Sequence, residues 1–330
     1  MAHLVGIGEH LPLFFLQALQ PASNLVAFGL VLSLLQRGLQ FLQPVVQVLL
    51  AAREFLQPVH DGKLLAAFLI LRRAGLPDSV GAVTLSKMCG SGMRAAMFAH
   101  DMLVAGTHEV LVAGGMESMT NAPYLMLKGR GGYRMGHDKI YDHMMLDGLE
   151  DAYEAGRSMG TFGEDCAAKY NFSREAQDHF AMTSVQRAKA ATESGAFAAE
   201  ITPVTVRSRS GEAVITIDEG PGKVKLDKVT SLKPAFKKDG TITAASSSSI
   251  NDGAAALVMM REGTARQLGC QPLARVVSHA TFAQAPEWFT TAPVGATQQA
   301  LAKAGWKVSD VQLWEVNEAF AVVPMALMHE

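Results

Sequence analysis

Cysteine is scarce in this chain, and charge of either sign is not in excess. The three cysteines, Cys89, Cys166 and Cys270, show no paired spacing. We therefore expect neither a disulfide framework nor a four-cysteine zinc site, and a reduced, cytoplasmic setting fits best. The chain has 29 Lys and Arg against 31 Asp and Glu, a formal net charge of −2. It lacks the basic excess typical of proteins that bind nucleic acid or an anionic membrane surface.

The first part of the chain has few charges. Residues 10–36 contain no Asp, Glu, Lys or Arg. The apolar run at 25–35 is shorter than the roughly 20 residues that a membrane helix needs, and no basic region precedes it as in a signal peptide. We therefore disfavour a membrane helix and interpret residues 1–72 as an atypical Leu- and Gln-rich segment, either helical or foreign to the rest of the chain.

Apolar residues are plentiful elsewhere. They make up 49% of the chain against 18% charged residues, which excludes disorder as the overall state. From about residue 71 the pattern is typical of an α/β enzyme. Residues 80–85 predict a strand, 90–103 a helix and 110–113 a second strand that ends at Gly114-Gly115. This order favours a parallel strand pair with a right-handed crossover.

Cys89 falls where the first of these strands gives way to the helix. Unpaired N–H groups at a helix N-terminus stabilise a thiolate relative to a thiol. Gly90 and Gly92 leave room for a substrate to approach the sulfur. The spacing by itself is equally typical of a buried structural cysteine, because free cysteines are among the most buried residues.

Four segments in order resemble the thiolase family. The residues 86–95 (SKMCGSGMRA) resemble its nucleophile segment, and 114–119 (GGMESM) resemble the motif at the end of the following strand. Residues 248–256 (SSINDGAAA) are similar to its pantetheine-contacting turn and strand. Residues 317–321 (NEAFA) are similar to its oxyanion asparagine motif. The chain is identified as a thiolase-like protein from this ordered set.

The resemblance implies an α/β, thiolase-like fold. It consists of two βαβαβαββ-type halves, both incomplete here, with an inserted α/β loop domain. Residues 73–119 would belong to the N-terminal half, 120–247 to the loop domain that binds coenzyme A, and 248–330 to the C-terminal half. Within the insert, residues 173–194 predict one amphipathic helix with Ser173 as N-cap and Gly195 as its stop.

The resemblance also assigns chemistry to individual residues. Cys89 would accept the acyl group as a thioester, with its backbone N–H serving one oxyanion site. Asn317 would hold a water at the other oxyanion site, although it could also cap a helix after a strand at 312–316. The following residues would contact coenzyme A or the acyl group: Ser248 at the pantetheine amide, Ala244 and Phe236 along the channel, Ser158 and Met159 beside the acyl group, and Ala319 and Phe320 as an apolar wall.

Two features of the binding region leave alternatives open. The tract 246–249 could be a flexible polar linker, although the family motif that follows favours binding. Lys223, Lys225 and Lys228 are candidates for the coenzyme A phosphates or for a solvated basic face. The Gly-rich run at 129–136 lacks the Lys-Ser/Thr of a phosphate-binding loop. No separate cofactor is expected, because coenzyme A is part of the substrate, and no metal-ligand cluster stands out.

Two family segments are absent. Thiolases use a Gly-His-Pro histidine to activate the nucleophile and a Cys-x-Gly cysteine as acid and base, and neither segment occurs in the 330 residues. Cys166 and Cys270 lack the required glycine context, and Cys166 lies in a helix-like run at 164–170, where we expect it to be packed. We therefore expect impaired turnover.

The function implied is that of an acetyl-CoA C-acetyltransferase in fatty acid metabolism. Two acetyl-CoA molecules would give acetoacetyl-CoA and coenzyme A, reversibly. The resemblance also implies a homo-oligomer, a dimer or tetramer. The alternative is a non-catalytic thiolase-like protein that binds coenzyme A or joins an oligomer. A β-ketoacyl synthase is disfavoured, because it would need two downstream histidines and lacks the NEAF motif at 317–320.

Overall fold

A computed structural model describes residues 2–4, 74–208 and 211–330. The apolar run at 25–35, and nearly all of the segment 1–72, lie outside the described residues. The helices are α1 (Ser91–Val104), α2 (Met159–Tyr170), α3 (Arg174–Glu193), α4 (Gly220–Lys223), α5 (Glu262–Gln267), α6 (Ala292–Ala304) and α7 (Val322–His329). The strands are β1 (Ala2–Leu4), β2 (Val110–Ser118), β3 (Tyr124–Leu125), β4 (Tyr141–Asp142), β5 (Val204–Ser208), β6 (Gly211–Ile215), β7 (Asp252–Met260) and β8 (Trp314–Val316). Among the described helices, none has both the length and the apolar character to cross a bilayer.

The described strands form antiparallel pairs: β1 with β8, β2 with β7, β3 with β4 and β5 with β6. The predicted strand at 80–85 and the parallel pair are wrong, because residues 80–86 have no regular structure and β2 pairs with β7 instead. The predicted break at Gly114-Gly115 is also wrong, since β2 runs through both glycines. A Cβ on Gly114 would lie 2.5 Å from the Ala255 carbonyl oxygen, so the glycine permits a close approach of the two strands.

Two helices agree with the sequence patterns. Helix α1 begins at Ser91, directly after Cys89 and the N-cap Gly90. Helix α3 has Ser173 as its N-cap, whose hydroxyl accepts a hydrogen bond from the Ala176 N–H at 3.1 Å. Gly195 follows the helix with φ of 74°, a conformation in which a side chain would be strained. Both helices are confirmed, as is the capping of α3.

The main core of the described residues lies between α2 and α7. Its buried members are Cys166, Ala167, Ile242, Phe320, Val322, Val323 and Ala326. The predicted packing of Cys166 is confirmed, since its side chain has no exposed surface. Gly163 allows this contact, because a Cβ there would lie 2.6 Å from Cδ1 of Ile242.

A buried carboxylate ties α2 to the segment before the serine-rich tract. Glu164 is only 6% exposed. It accepts hydrogen bonds from the N–H groups of Thr241 and Ile242 at 2.9–3.0 Å, and from the Thr241 hydroxyl at 3.0 Å. A buried carboxylate is stable only when it is paired or hydrogen-bonded in this way. Glu164 thus fixes the path of the chain toward residues 246–248.

We expect Glu164→Gln to lower the free energy of unfolding by about 1–3 kcal/mol, because one oxygen that accepts hydrogen bonds becomes a donor that faces other donors. Urea denaturation measures this change. The exposed Glu200→Gln serves as the control and should leave the free energy of unfolding almost unchanged. Equal effects of the two substitutions would contradict the role assigned to Glu164.

Candidate active site

Cys89 lies on an exposed turn at the start of α1. The preceding residue, Met88, has φ of 47°, which is uncommon for a residue with a side chain. The hydroxyl of Ser91 holds this turn: it accepts a hydrogen bond from the Lys87 N–H at 2.8 Å and donates one to the Met88 carbonyl at 2.7 Å. The sulfur is therefore open to solvent on a turn whose backbone is held in place.

Two glycines bring the first turn of α1 against strand β2. A Cβ on Gly115 would lie 3.3 Å from the Cα of Gly92, and one on Gly92 would lie 3.9 Å from the Cα of Gly115. Side chains at both positions would hold helix and strand further apart. Gly92 and Gly115 therefore determine how closely the candidate nucleophile segment packs against β2.

The β2–β7 ribbon connects this segment to the serine-rich tract. Gly115 lies opposite Ala255, and Ser118 lies opposite Asp252. The Asp252 carboxylate accepts a hydrogen bond from the Thr120 N–H at 2.9 Å. Along β2, Gly115 and Ser118 are three residues, or about 10 Å, apart. On the opposite strand, β7 begins at Asp252, four residues after Ser248. The strand pair therefore links the GGMESM segment on β2 to the SSINDGAAA segment that leads into β7.

The tract at 246–248 pairs with the NEAF segment. The Ser248 N–H donates to the Ala319 carbonyl at 3.0 Å, and the Ser248 hydroxyl donates to the Glu318 carbonyl at 2.8 Å. The Ala321 N–H donates in turn to the Ser246 carbonyl at 2.9 Å. These hydrogen bonds hold the tract against the NEAF segment, so it is not a flexible linker.

Three more of the predicted residues pack around Phe320. The Phe236 and Phe320 rings meet edge to face, with their centroids 5.7 Å apart. Met159, Phe236 and Ala319 are half-buried against the core cluster that contains Phe320. A Cβ on Gly160 would lie 2.1 Å from Cγ of Phe236, so this glycine lets the ring lie on the backbone of α2.

The remaining predicted coenzyme A contacts border this group. Ser158 is the N-cap of α2, and its hydroxyl accepts a 3.4 Å hydrogen bond from the Gly160 N–H. Ala244 is exposed beside Thr243, whose carbonyl accepts a hydrogen bond from the Ser247 hydroxyl at 2.7 Å. The structure therefore brings the predicted contacts from three distant parts of the sequence to one region.

Asn317 and Cys89 are not members of this packed group in the described part of the chain. Asn317 is exposed and directly follows β8, which begins at Trp314 rather than at residue 312. The N-cap interpretation of Asn317 is wrong, because α7 begins at Val322 and Ala321 is its N-cap. Asn317 adjoins Glu318, whose carbonyl accepts the Ser248 hydrogen bond.

Sequence patterns gave no indication of one contact to the NEAF segment. The hydroxyl of Ser184, on α3, donates a 2.7 Å hydrogen bond to the Glu318 carboxylate. The two residues are 134 positions apart, and no motif includes Ser184. Helix α3 therefore contacts the same residue, Glu318, whose carbonyl accepts the hydrogen bond from Ser248.

An open groove with a cavity volume of about 430 Å³ lies beside Phe236. It is lined by residues 233–239, which include Lys233, Lys237, Lys238 and one acidic residue, Asp239. Its lining thus has a net positive charge. Among the lysines proposed from the sequence, Lys223 forms an ion pair with Glu219. The groove lysines are a second set of cationic groups.

Solved structures with a similar fold are known. The chain superposes on an acetyl-CoA acetyltransferase from Syntrophomonas wolfei with a TM-score of 0.78 and 36% identity, over 86% of this chain and 75% of the other. For the acetyl-CoA acetyltransferase of Bacillus anthracis the TM-score is 0.79 with 34% identity, over 87% of this chain and 77% of the other. The fold is an α/β thiolase fold.

Sequence comparison gives the family. The family model of the thiolase N-terminal domain matches residues 55–263, and that of the C-terminal domain matches residues 270–330. The chain belongs to the thiolase family. The first match begins before residue 73 and so includes part of the segment described above as atypical.

Curated relatives carry the names of acyl-transferring enzymes. Acetyl-CoA acetyltransferase 2 of Arabidopsis thaliana is 46% identical over 77% of this chain and 63% of its own length. An acetyl-CoA acetyltransferase of Pseudomonas aeruginosa is 46% identical over 78% of this chain and 66% of its own length. The chain therefore spans just under two thirds of these relatives.

The three cysteines should differ strongly in reactivity toward iodoacetamide. Cys89 is exposed, Cys270 is partly exposed and Cys166 is buried, and burial raises the pKa of the Cys166 thiol. Since the thiolate is the reacting form, we expect Cys89 to be alkylated first and Cys166 only after unfolding. Peptide mass spectrometry of timed samples measures the order, with urea-unfolded protein as the control. Labelling of Cys166 in the folded protein at the rate of Cys89 would contradict the described burial.

Proposed function

We propose that this protein is a thiolase-type acyltransferase whose substrate is acetyl-CoA. It would convert two acetyl-CoA molecules to acetoacetyl-CoA and coenzyme A, reversibly. The observation that carries the proposal is the exposed sulfur of Cys89 on a constrained turn at the start of a 14-residue helix. The names of the curated relatives and of the solved neighbours support acetyl-CoA as the substrate.

In the first step, the Cys89 thiolate attacks the thioester carbonyl of acetyl-CoA. The carbon–sulfur bond to coenzyme A breaks, coenzyme A leaves as a thiol after taking up a proton, and the acetyl group remains on Cys89 as a thioester. Negative charge develops on the carbonyl oxygen during this step. We assign the Cys89 N–H as a hydrogen-bond donor at one oxyanion site and a water held by Asn317 as the donor at the other, separate oxyanion site.

In the second step, another acetyl-CoA loses a proton from its methyl carbon, and solvent water takes up this proton. The resulting carbanion attacks the acetyl thioester, which forms a new carbon–carbon bond and releases the Cys89 sulfur. General acid and base groups contribute roughly 10²–10⁴ to such rates. Since the 330 residues contain neither a Gly-His-Pro nor a Cys-x-Gly segment, we expect acetylation of Cys89 to be faster than completed condensation.

The arrangement around Phe236 suits a coenzyme A molecule. The half-buried Phe236 and Met159 supply apolar surface for the pantetheine arm near the polar Ser248, and the buried Phe320 packs against them. The lysines of the neighbouring groove supply positive charge for the phosphates. Binding of coenzyme A at this place does not require that Cys89 react, so binding and acylation can be measured separately.

Incubation with acetyl-CoA should add one acetyl group to the protein, and intact-mass and peptide mass spectrometry should locate it on Cys89. Cys89→Ala should abolish the modification, because no thiol remains at the turn. Cys270→Ala is the matched control and should be acetylated like the original protein. We expect thiolysis of acetoacetyl-CoA to proceed with few or no turnovers under the same conditions.

Three results would overturn parts of this proposal. Acetylation that persists in Cys89→Ala would remove the assigned nucleophile. Sustained thiolysis that depends on Cys89 would show that the chain supplies its own base and would contradict the expected impairment. Coenzyme A binding without acetylation of Cys89 would favour the alternative of a binding protein without catalysis.

The groove lysines should strengthen binding of coenzyme A. Lys237→Gln is expected to raise the dissociation constant about fivefold or less at low salt, because an exposed ion pair contributes roughly 0.2–1 kcal/mol. The effect should shrink as ionic strength rises, since salt screens exposed charges. Calorimetric titration measures both, with the exposed Lys139→Gln as the control. Equal affinities of the two variants would contradict phosphate binding in the groove.

A further inference from the structure

Three potential metal ligands meet outside the candidate active site. His100 and Asp101 lie in α1, and His279 lies in the irregular segment between α5 and α6. Nε2 of His279 lies 2.8 Å from Oδ1 of Asp101, and Nδ1 of His100 lies 3.3 Å from the same oxygen. One ligand atom from each residue lies within 4.8 Å of the other two.

The donor set and its spacing suit a late transition metal. Two imidazole nitrogens and a carboxylate oxygen are ligands that Zn²⁺, Ni²⁺ and Cu²⁺ accept. With metal–ligand distances of about 2.0–2.2 Å, neighbouring ligand atoms in a tetrahedral site lie about 3.3 Å apart. The observed separations of 2.8 and 3.3 Å from the Asp101 oxygen are close to this spacing, and the two imidazole nitrogens lie within 4.8 Å of each other.

The ligands are held in place by their surroundings. The Lys303 ammonium donates a 2.9 Å hydrogen bond to the His279 carbonyl, and the Ser278 hydroxyl donates one of 2.8 Å to the Ala300 carbonyl on α6. The two histidine rings meet edge to face with their centroids 4.9 Å apart. The His279 side chain is only 19% exposed, whereas the Asp101 side chain is 57% exposed. An ion can therefore enter from the Asp101 side, where water can complete its coordination.

The Asp101 carboxylate is the one acidic group of the cluster, and its charge would offset part of the charge of a divalent ion.

We propose that His100, Asp101 and His279 form a binding site for one divalent transition metal ion, with Zn²⁺ as the representative ion. The site would join α1 to the segment before α6, which lie 178 residues apart in the sequence. An ion that binds all three residues favours the folded state, because the unfolded chain does not hold them together. The role is structural, and no step of the acyl transfer involves it.

Calorimetric titration of the full chain with Zn²⁺ tests the proposal. The thiols are first blocked with N-ethylmaleimide, because cysteine thiolates also bind zinc. We expect binding of one ion per chain and a rise in melting temperature. His279→Gln should weaken binding by at least the roughly 10–100-fold that loss of a group supporting a metal site costs. The matched control is His108→Gln, an exposed histidine whose Nδ1 lies 3.1 Å from the Thr107 hydroxyl, and it should bind like the original protein.

Failure to bind one ion per chain would overturn the proposal, as would equal affinities of His279→Gln and His108→Gln. Because a variant could fail to bind through misfolding, a second test uses the unsubstituted protein. Electron paramagnetic resonance of the thiol-blocked chain with one equivalent of Cu²⁺ should show hyperfine splitting from two imidazole nitrogens. Absence of nitrogen splitting would equally overturn the site.

Discussion

The pairing of β2 with β7 is the constraint on which the arrangement of the candidate site depends. Nine residue pairs join the two strands, between parts of the sequence more than 130 residues apart. Strand β2 lies against the first turn of α1 through Gly92 and Gly115, and β7 begins four residues after Ser248. A shift of register by one residue would turn each side chain of one strand to the opposite face. The pairing of β2 with β7 therefore fixes the position of the candidate nucleophile segment relative to the serine-rich tract.

Local features of this fold could be predicted from the sequence, and long-range pairings could not. Helix α3 was predictable because its N-cap bond joins Ser173 to a residue only three positions away. The continuation of β2 through Gly114 and Gly115 was not predictable, because those glycines remain in a strand only through their partner residues on β7. Patterns along the sequence predict pairing between neighbouring strands, whereas the partner of β2 is β7, more than 130 residues later in the sequence.

The same distinction applies to the candidate site. Motif resemblance selected Ser248, Phe236 and Phe320, which the structure places in one region. It did not select Ser184, because a hydroxyl on the exposed face of a long helix has no distinguishing pattern until the NEAF segment folds against it. The cluster of His100, Asp101 and His279 could not be predicted for the same reason. His100 and Asp101 are neighbours in the sequence, but His279 lies 178 residues beyond Asp101 and only the fold brings it to them.

The contrast between two cysteines explains why environment, rather than residue type, selects the candidate nucleophile. Cys166 lies on the face of α2 that packs against α7, where desolvation opposes ionisation and no substrate can approach. Cys89 lies outside the hydrogen-bonded body of α1, on a turn held by Ser91 through backbone contacts to Lys87 and Met88. The hydroxyl of Ser91 is engaged by the turn itself, so the sulfur remains the accessible nucleophilic atom there. A packed thiol stabilises a core by its apolar surface, whereas an exposed one on a constrained turn can meet a thioester without prior movement of the backbone.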